Sequence, residues 1–147
     1  MIKVICGRKG SGKTKKLIDM ANHSIKEQKG DVLFLDDDNR YMFDLRHEIR
    51  FINAGEYGVK SPELFYGFTC GLLAQNFDIS LIFVDAFKRL CGGDLHSLGW
   101  LFDRLEKLAA NRDLQLVFSV SCDPGDLPEF LRKYIMEFEN HPAQSEC

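Results

Sequence analysis

The stretch Gly7-Arg8-Lys9-Gly10-Ser11-Gly12-Lys13-Thr14 decides how this 147-residue chain folds. It satisfies the spacing G-x-x-x-x-G-K-[ST] at every fixed position. The apolar run at 2–6 before it predicts a short buried strand. After it, apolar residues recur at helical spacing and predict a helix over 14–29, which Gly30 ends. We therefore expect a glycine-rich loop between a strand and a helix.

The residues of this loop, a P-loop pattern, are suited to binding phosphate. Glycines let the backbone wrap tightly so that several N–H groups point inward, and the helix N-terminus adds partial positive charge. Lys13 is predicted to contact the β- and γ-phosphates and to act in catalysis, and the Thr14 hydroxyl to bind Mg²⁺. The alternative is a chance glycine-rich turn. The residues predicted to bind a nucleoside triphosphate are Gly7, Lys9, Gly10, Ser11, Gly12, Lys13 and Thr14.

A second metal ligand is predicted at Asp85, which follows the apolar strand at 81–84. An apolar strand that ends in aspartate is the Walker B pattern, whose carboxylate holds Mg²⁺ beside the P-loop. The alternative is an aspartate that caps a helix or a turn. Thr14 and Asp85 are thus the predicted metal residues.

The group that would activate a water is harder to predict. Many ATPases with this core carry a glutamate directly after the Walker B aspartate, and Ala86 occupies that position here. Asp36, Asp37 and Asp38 follow the apolar strand at 32–35. Asp36 or Asp38 is a candidate general base, or a group that positions a water or a substrate hydroxyl. A solvated acidic turn is the alternative.

The last predicted strand, at 114–120, brings two serines to its end, Ser119 and Ser121, on one face. In the additional-strand branch of P-loop proteins, a polar residue at this place senses the γ-phosphate. Ser121 is therefore predicted to contact the nucleotide. Ordinary strand-end hydroxyls are the alternative.

The remaining pattern predicts an α/β chain. Apolar strands alternate with helices, which indicates a parallel sheet covered on both faces. We expect one domain over 1–138 and a polar tail over 139–147. The other predicted elements are a strand at 50–53, a helix at 61–76, a helix capped by Asp94 and a final helix at 127–138.

Composition narrows the classes of partner and compartment. The net charge is −3, but the first sixteen residues hold six cations and no acid, which suits a small polyanion better than a nucleic acid. No signal peptide or membrane span is predicted, since polar residues interrupt the most apolar region, 64–87. Five cysteines without a CxxC pair predict reduced thiols in a cytoplasmic protein.

Four stretches resemble a family of small bacterial P-loop proteins found mostly in Firmicutes: GRKGSGKTKKLIDMAN, LFYGF, IFVDAFKRLCGGDL and VFSVSCDPGDLP. The family is loosely labelled as twitching-motility ATPases. The resemblance implies ATP binding on a RecA-like three-layer sandwich with a mainly parallel sheet. In RecA-like proteins an acidic residue ends the strand after the P-loop helix, and Asp36, Asp37 and Asp38 lie at that position here. A remoter similarity is to thymidine-kinase-like proteins, although their zinc-binding cysteines and the glutamate after Asp85 are absent.

Three functions stay open on the sequence. The first is an Mg²⁺-dependent ATP-binding NTPase that hydrolyses slowly or acts as a switch. The second is a small-molecule, nucleoside-type kinase with an acceptor pocket near 36–38 and the loop after Asn39. The third is a nucleotide-gated adaptor that binds a protein through residues 40–57, for which a packed sheet edge is the alternative. A homo-oligomer could complete the site in any of these cases.

Overall fold

The computed structural model of the chain describes residues 1–136, in which five strands alternate with helices. The strands are β1 Ile2–Gly7, β2 Asp31–Asp36, β3 Arg50–Asn53, β4 Ile79–Val84 and β5 Gln115–Ser121. The helices are α1 Lys13–Ser24, α2 Pro62–Gln75, α3 Phe87–Cys91, α4 Gly99–Arg112 and α5 Glu129–Arg132. Short 3₁₀ segments occur in several of the connections.

The strands form one parallel sheet in the order β1-β5-β4-β2-β3. In this order β5 lies between the P-loop strand β1 and the strand β4 that leads into Asp85. Because all strands run the same way, their carboxyl ends meet at one edge of the sheet, where Gly7 is paired with Ser121 and Leu35 with Val84. Ligands of open α/β sheets bind at this edge.

One face of the sheet is covered by α2, α3 and α4, and its core is aromatic. Four buried rings meet there, with ring centroids 5.0 to 6.3 Å apart in the contacting pairs. They belong to Phe65, Phe87, Phe102 and Phe118. Edge-to-face packing of such rings adds stability beyond the apolar area that they bury.

The opposite face is covered by α1. Leu17, Ile18 and Ala21 recur at helical spacing on that helix and pack with Phe34 and Phe83 of the sheet. Because α1 starts directly after the glycine-rich loop, this packing fixes the direction of its N-terminus. The result is a three-layer α/β sandwich, as the sequence predicted.

Several predicted boundaries are confirmed. The Ser61 hydroxyl accepts a hydrogen bond from Leu64 N–H at 3.1 Å and caps α2, with Pro62 in its first turn. Strand β3 occupies the predicted residues 50–53 and lies at the edge of the sheet. No helix among the described residues is long and apolar enough to cross a membrane.

Three predicted helices differ from the structure. Helix α1 ends at Ser24, not at residue 29, and turns follow it. Asp94 caps only the 3₁₀ segment Leu95–Ser97, since its carboxylate accepts from His96 N–H, and α4 starts at Gly99. The predicted final helix at 127–138 was wrong over most of its length, and its last two residues, like the predicted tail at 139–147, lie outside the described residues.

The C-terminal difference has a clear physical reason. Helix α5 is a single turn, because the chain then pairs with the free edge of β1. Val4 N–H donates to the Tyr134 carbonyl at 2.8 Å, and Met136 N–H donates to the Val4 carbonyl at 3.0 Å. Backbone groups on an edge strand need partners, and this requirement overrides the helical pattern of the sequence.

We expect Phe118→Ala to lower the free energy of unfolding by about 3–5 kcal/mol, because it removes the ring that contacts three others in the core. Urea unfolding followed by circular dichroism measures this. The matched control is Phe43→Ala, whose ring is 89% exposed and should change the value by under ~0.5 kcal/mol. A similar loss in the two variants would contradict the assigned core.

Candidate nucleotide site

The loop between β1 and α1 has a backbone that depends on glycine. Gly10 and Gly12 have φ values of 84° and 94°, in the left-handed region where a side chain is strained. Gly12 directly precedes Lys13, the first residue of α1, and its carbonyl accepts from Lys16 N–H at 3.0 Å. The loop therefore ends at a helix N-terminus, whose first N–H groups have no partner within the helix and can bind an anion.

Lys13 is a buried cation whose hydrogen bond in this structure is to a carbonyl. It is 6% exposed, and its ammonium donates to the Arg8 carbonyl at 2.9 Å. Burial lowers the pKa of Lys13, and the nearby Asp85 carboxylate opposes that shift. A buried ammonium beside a loop of N–H groups has a strong electrostatic preference for an anionic ligand.

Thr14 and Asp85 meet although 71 residues separate them in the chain. The Thr14 hydroxyl donates to one Asp85 oxygen at 3.0 Å, and the Ser119 hydroxyl donates to the other. Asp85 N–H donates to the Leu35 carbonyl at 2.9 Å, which fixes the carboxylate at the sheet edge. The two predicted metal residues are therefore in contact, and Ser119 orients one of them.

Asp36 ends β2 and is 2% exposed. One of its oxygens accepts from Asp37 N–H at 2.8 Å, and the other has no hydrogen-bond partner among residues 1–136. Burial raises the pKa of Asp36 to about 7, and the Asp85 carboxylate adds to the rise. A buried carboxyl oxygen without a partner is costly, which favours a ligand, metal or water at this position.

The other two aspartates of the run are directed to arginines. Asp37 accepts two hydrogen bonds from Arg89, at 2.6 and 3.2 Å, and these bonds hold the pKa of Asp37 below its usual value. Asp38 pairs with Arg40, whose guanidinium lies 3.2 Å away. The three adjacent carboxylates that the sequence could not separate thus have three different environments.

An open groove of about 800 Å³ runs along this edge. Its volume lies in the range of small-molecule sites. The predicted residues that line it are Lys9, Gly10, Gly12, Lys13, Thr14, Asp85 and Ser121. Gly7, Ser11, Asp36 and Asp38 do not line it. Ser11 is buried inside the loop, and its hydroxyl has no hydrogen-bond partner within the described part of the chain.

Further residues line the groove besides those predicted to bind the nucleotide, and Arg89 is one that the sequence analysis missed. Arg40 and Tyr41 line it from the loop after β2, and Arg89 lines it from α3. Arg89 could have been found from the sequence, because a helix that starts two residues after Asp85 places its first turn at the same sheet edge. Ala86, between them, has a φ of 57°, and this left-handed turn sends α3 away from the strand.

One solved structure with a similar fold is the flagellar accessory protein FlaH from Methanocaldococcus jannaschii. It has a TM-score of 0.52 and 13% sequence identity to this chain, and the match covers 90% of this chain and 65% of that one. The fold is that of a RecA-like P-loop NTPase. At this identity the likeness shows the fold alone, and the chain spans just under two thirds of the length of FlaH.

No protein-family model matches the chain, and no curated protein matches it. The predicted RecA-like fold is confirmed by the structural similarity. The resemblance to the small Firmicutes-type family stays a prediction.

The raised pKa of Asp36 predicts that stability falls as pH rises. The folded protein keeps this proton up to about pH 7, whereas the ordinary value is 3.8, so folding takes up a proton between these values. The free energy of unfolding should therefore fall across that window. In Asp36→Asn, the fall between pH 5 and pH 8 should be smaller, by on the order of 2 kcal/mol. Urea unfolding without divalent metal measures it.

Asp37→Asn is the control for this slope. The pKa of Asp37 is lowered, so Asp37 is ionised above pH 5 in both the folded and the unfolded state. We expect a pH dependence close to that of wild type. Equal slopes in all three proteins would contradict the buried, protonated state of Asp36.

Proposed function

We propose that this chain binds ATP with Mg²⁺ and acts as a slow NTPase or a nucleotide switch. The observation that carries the proposal is the juxtaposition of Lys13 with the Thr14–Asp85 pair on an open groove that the glycine-rich loop also lines. A cation for the phosphates and oxygen ligands for a metal then lie within one site. ATP is preferred over other nucleotides because of the resemblance to ATP-binding proteins.

The loop and Lys13 would hold the triphosphate. In the present structure the Lys13 ammonium donates a hydrogen bond to the Arg8 carbonyl. A carbonyl oxygen carries only a partial charge, so phosphate oxygens are stronger partners for a buried ammonium. We expect Lys13 to exchange the carbonyl for the β- and γ-phosphates when the nucleotide binds. The Ser11 hydroxyl inside the loop, which has no hydrogen-bond partner among residues 1–136, is a further donor for phosphate.

The residues at the sheet edge fit a magnesium ion. Mg²⁺ prefers hard oxygen ligands, and here a hydroxyl comes from Thr14 and a carboxylate from Asp85. Thr14 would bind the ion directly and Asp85 would hold its coordination shell. When bound, the ion neutralises charge on the phosphates. Ser119 keeps the Asp85 carboxylate oriented toward Thr14.

Hydrolysis would depend on Asp36. Its pKa of about 7 leaves it partly ionised at neutral pH, which suits a group that accepts a proton from a water. Ala86 cannot do this, and Asp38 is paired with Arg40. Since Asp36 is buried and does not line the groove, we expect slow turnover. Ser121 lies on the groove, where its hydroxyl could contact the γ-phosphate.

A kinase is the second candidate, because a side wall of the groove could hold a phosphate acceptor. Arg40, Tyr41 and Asp44 line the groove and supply hydrogen-bonding groups there. An acceptor hydroxyl would then take the place of the attacking water. Acceleration of ADP formation by an added nucleoside or other acceptor would favour the kinase hypothesis.

We also propose that the chain could be a nucleotide-gated adaptor, form a homo-oligomer and be located in the cytoplasm. Residues 40–57 include the edge strand β3, and Tyr41, Leu45 and Phe51 pack against the core on the α1 side. This packing supports the alternative of an ordinary sheet edge.

We expect Lys13→Ala to weaken Mg-ATP binding at least tenfold, because it removes the buried ammonium that would contact the phosphates. Calorimetric titration with ATP, GTP and ADP measures the affinity and identifies the preferred base. Lys16→Ala is the matched control, since it removes the same charge from an exposed position of α1 that does not line the groove. Equal affinities of Lys13→Ala and wild type would refute the site.

We expect Asp36→Asn to lower ATP turnover by about 10²–10⁴-fold, as the loss of a general base does, with a Kd for Mg-ATP within a few-fold of wild type. Steady-state phosphate release together with the titration measures both. Asp38→Asn should leave turnover unchanged, because its carboxylate is bonded to Arg40. Slow turnover by Asp38→Asn together with normal turnover by Asp36→Asn would show that Asp38, and not Asp36, is the general base.

A further inference from the structure

Two cysteines that lie 116 residues apart in the chain meet at the foot of the phosphate loop. The sulfur atoms of Cys6 and Cys122 are 3.5 Å apart, and the Cys6 thiol also lies 3.4 Å from the Cys122 carbonyl. Both are free thiols and both are half-buried. The sequence did not predict this pair, because no two cysteines are close in the chain and the strand order was not known.

The position of the pair is set by the sheet. Cys6 precedes Gly7 on β1, and Cys122 follows Ser121 at the end of the neighbouring strand β5. Cys122 N–H donates to the Gly7 carbonyl at 3.0 Å, which holds the two backbones together at this point. A disulfide requires the sulfurs to approach to about 2.05 Å, so about 1.5 Å of movement separates the pair from a bond.

We propose that Cys6 and Cys122 form an oxidisable dithiol, which a hydroperoxide converts to a disulfide that weakens nucleotide binding at the adjacent phosphate loop. The formation of the disulfide is independent of the proposed function, and the effect on binding rests on it. In the reaction each thiol loses its hydrogen, one S–S bond forms, and the two electrons reduce hydrogen peroxide to two waters.

The environment assigns an order to the two steps. Burial raises the pKa of Cys6 to about 12, so Cys6 stays a thiol at neutral pH. In the first step the Cys122 sulfur, after giving up its proton, attacks a peroxide oxygen, the O–O bond breaks, and the departing hydroxide takes up that proton to form the first water; Cys122 is then a sulfenic acid. In the second step the Cys6 sulfur attacks the Cys122 sulfur, the S–O bond breaks, and the departing hydroxide takes up the Cys6 proton to form the second water. Thiol reductants reverse the reaction.

The effect on the nucleotide follows from the neighbours of the pair. Moving the Cys6 and Cys122 sulfurs together shifts the ends of β1 and β5, and the next residues are Gly7 of the loop and Ser121 of the groove. Phosphate cradles depend on hydrogen bonds of about 2.7–3.2 Å, so a shift of that size disturbs them. Lys13 is also close enough to lower the pKa of Cys6, which places the thiols within its electrostatic reach.

The first experiment detects the bond itself. The full chain carrying Cys147→Ser, which prevents coupling through that cysteine, is treated with hydrogen peroxide, alkylated and digested with trypsin. We expect a linked pair of the peptides 4–8 and 113–132, lighter by two hydrogens than their sum and lost after reduction. Absence of this pair, or linkage of Cys6 to Cys70 or Cys91, would overturn the proposal.

Single variants test the order of the steps. Cys6→Ser should leave Cys122 as a sulfenic acid that dimedone traps, whereas Cys122→Ser should leave Cys6 mostly unmodified under the same treatment. Cys70→Ser is the matched control and should form the linked peptides as efficiently as the parent, because Cys70 lies on α2. Trapping on Cys6 in place of Cys122 would overturn the assigned order.

The second experiment measures how the disulfide changes nucleotide binding. The Kd for Mg-ATP of the oxidised chain should be at least tenfold weaker than that of the reduced chain, and Cys122→Ser should not respond to peroxide. By reciprocity, saturating Mg-ATP should then make the disulfide easier to reduce, with a potential about 30 mV higher for a tenfold effect. An unchanged Kd after complete oxidation would overturn the coupling. Failure of the reduced chain to bind ATP would instead refute the proposed function, and the peptide assay would stand unaffected.

Discussion

The hydrogen bonds from Thr14 and Ser119 to the two oxygens of Asp85 hold the site together. They join the start of α1, the end of β4 and the end of β5, three segments that are distant in the chain. The contact requires the sheet order, because only a strand between β1 and β4 places a serine beside Asp85 while Thr14 approaches from the loop. The packing of α1 on one face and of the aromatic core on the other supports this geometry.

The charges of the site are arranged at a cost to the free protein. Lys13 is buried with a carbonyl as its partner, and Asp36 is buried with one oxygen that lacks a partner among residues 1–136. Burying a charge without a matching partner lowers stability. Both costs would be relieved by a ligand that brings anionic oxygens to Lys13 and a cation to the carboxylates. A metal-bound triphosphate is the simplest ligand with both properties.

The sequence predicted the fold and the loop because local patterns determine them. The strand, the glycines, Lys13 and the following helix are adjacent in the chain, so their spacing is informative. The roles of Asp36, Asp37 and Asp38 could not be separated, since tertiary contacts bury Asp36 and bring Arg89 to Asp37 from 52 residues away. For the same reason the pairing of the chain near Ile135 with β1 and the approach of Cys6 to Cys122 were missed.

The most direct test of the account is a crystal structure of the chain with Mg²⁺ and a non-hydrolysable ATP analogue. The account predicts that the Lys13 ammonium leaves the Arg8 carbonyl for the β- and γ-phosphates. It also predicts a metal ion bound by the Thr14 hydroxyl, with Asp85 in its coordination shell. A triphosphate bound elsewhere, or a bound nucleotide with Lys13 still on the Arg8 carbonyl, would contradict it.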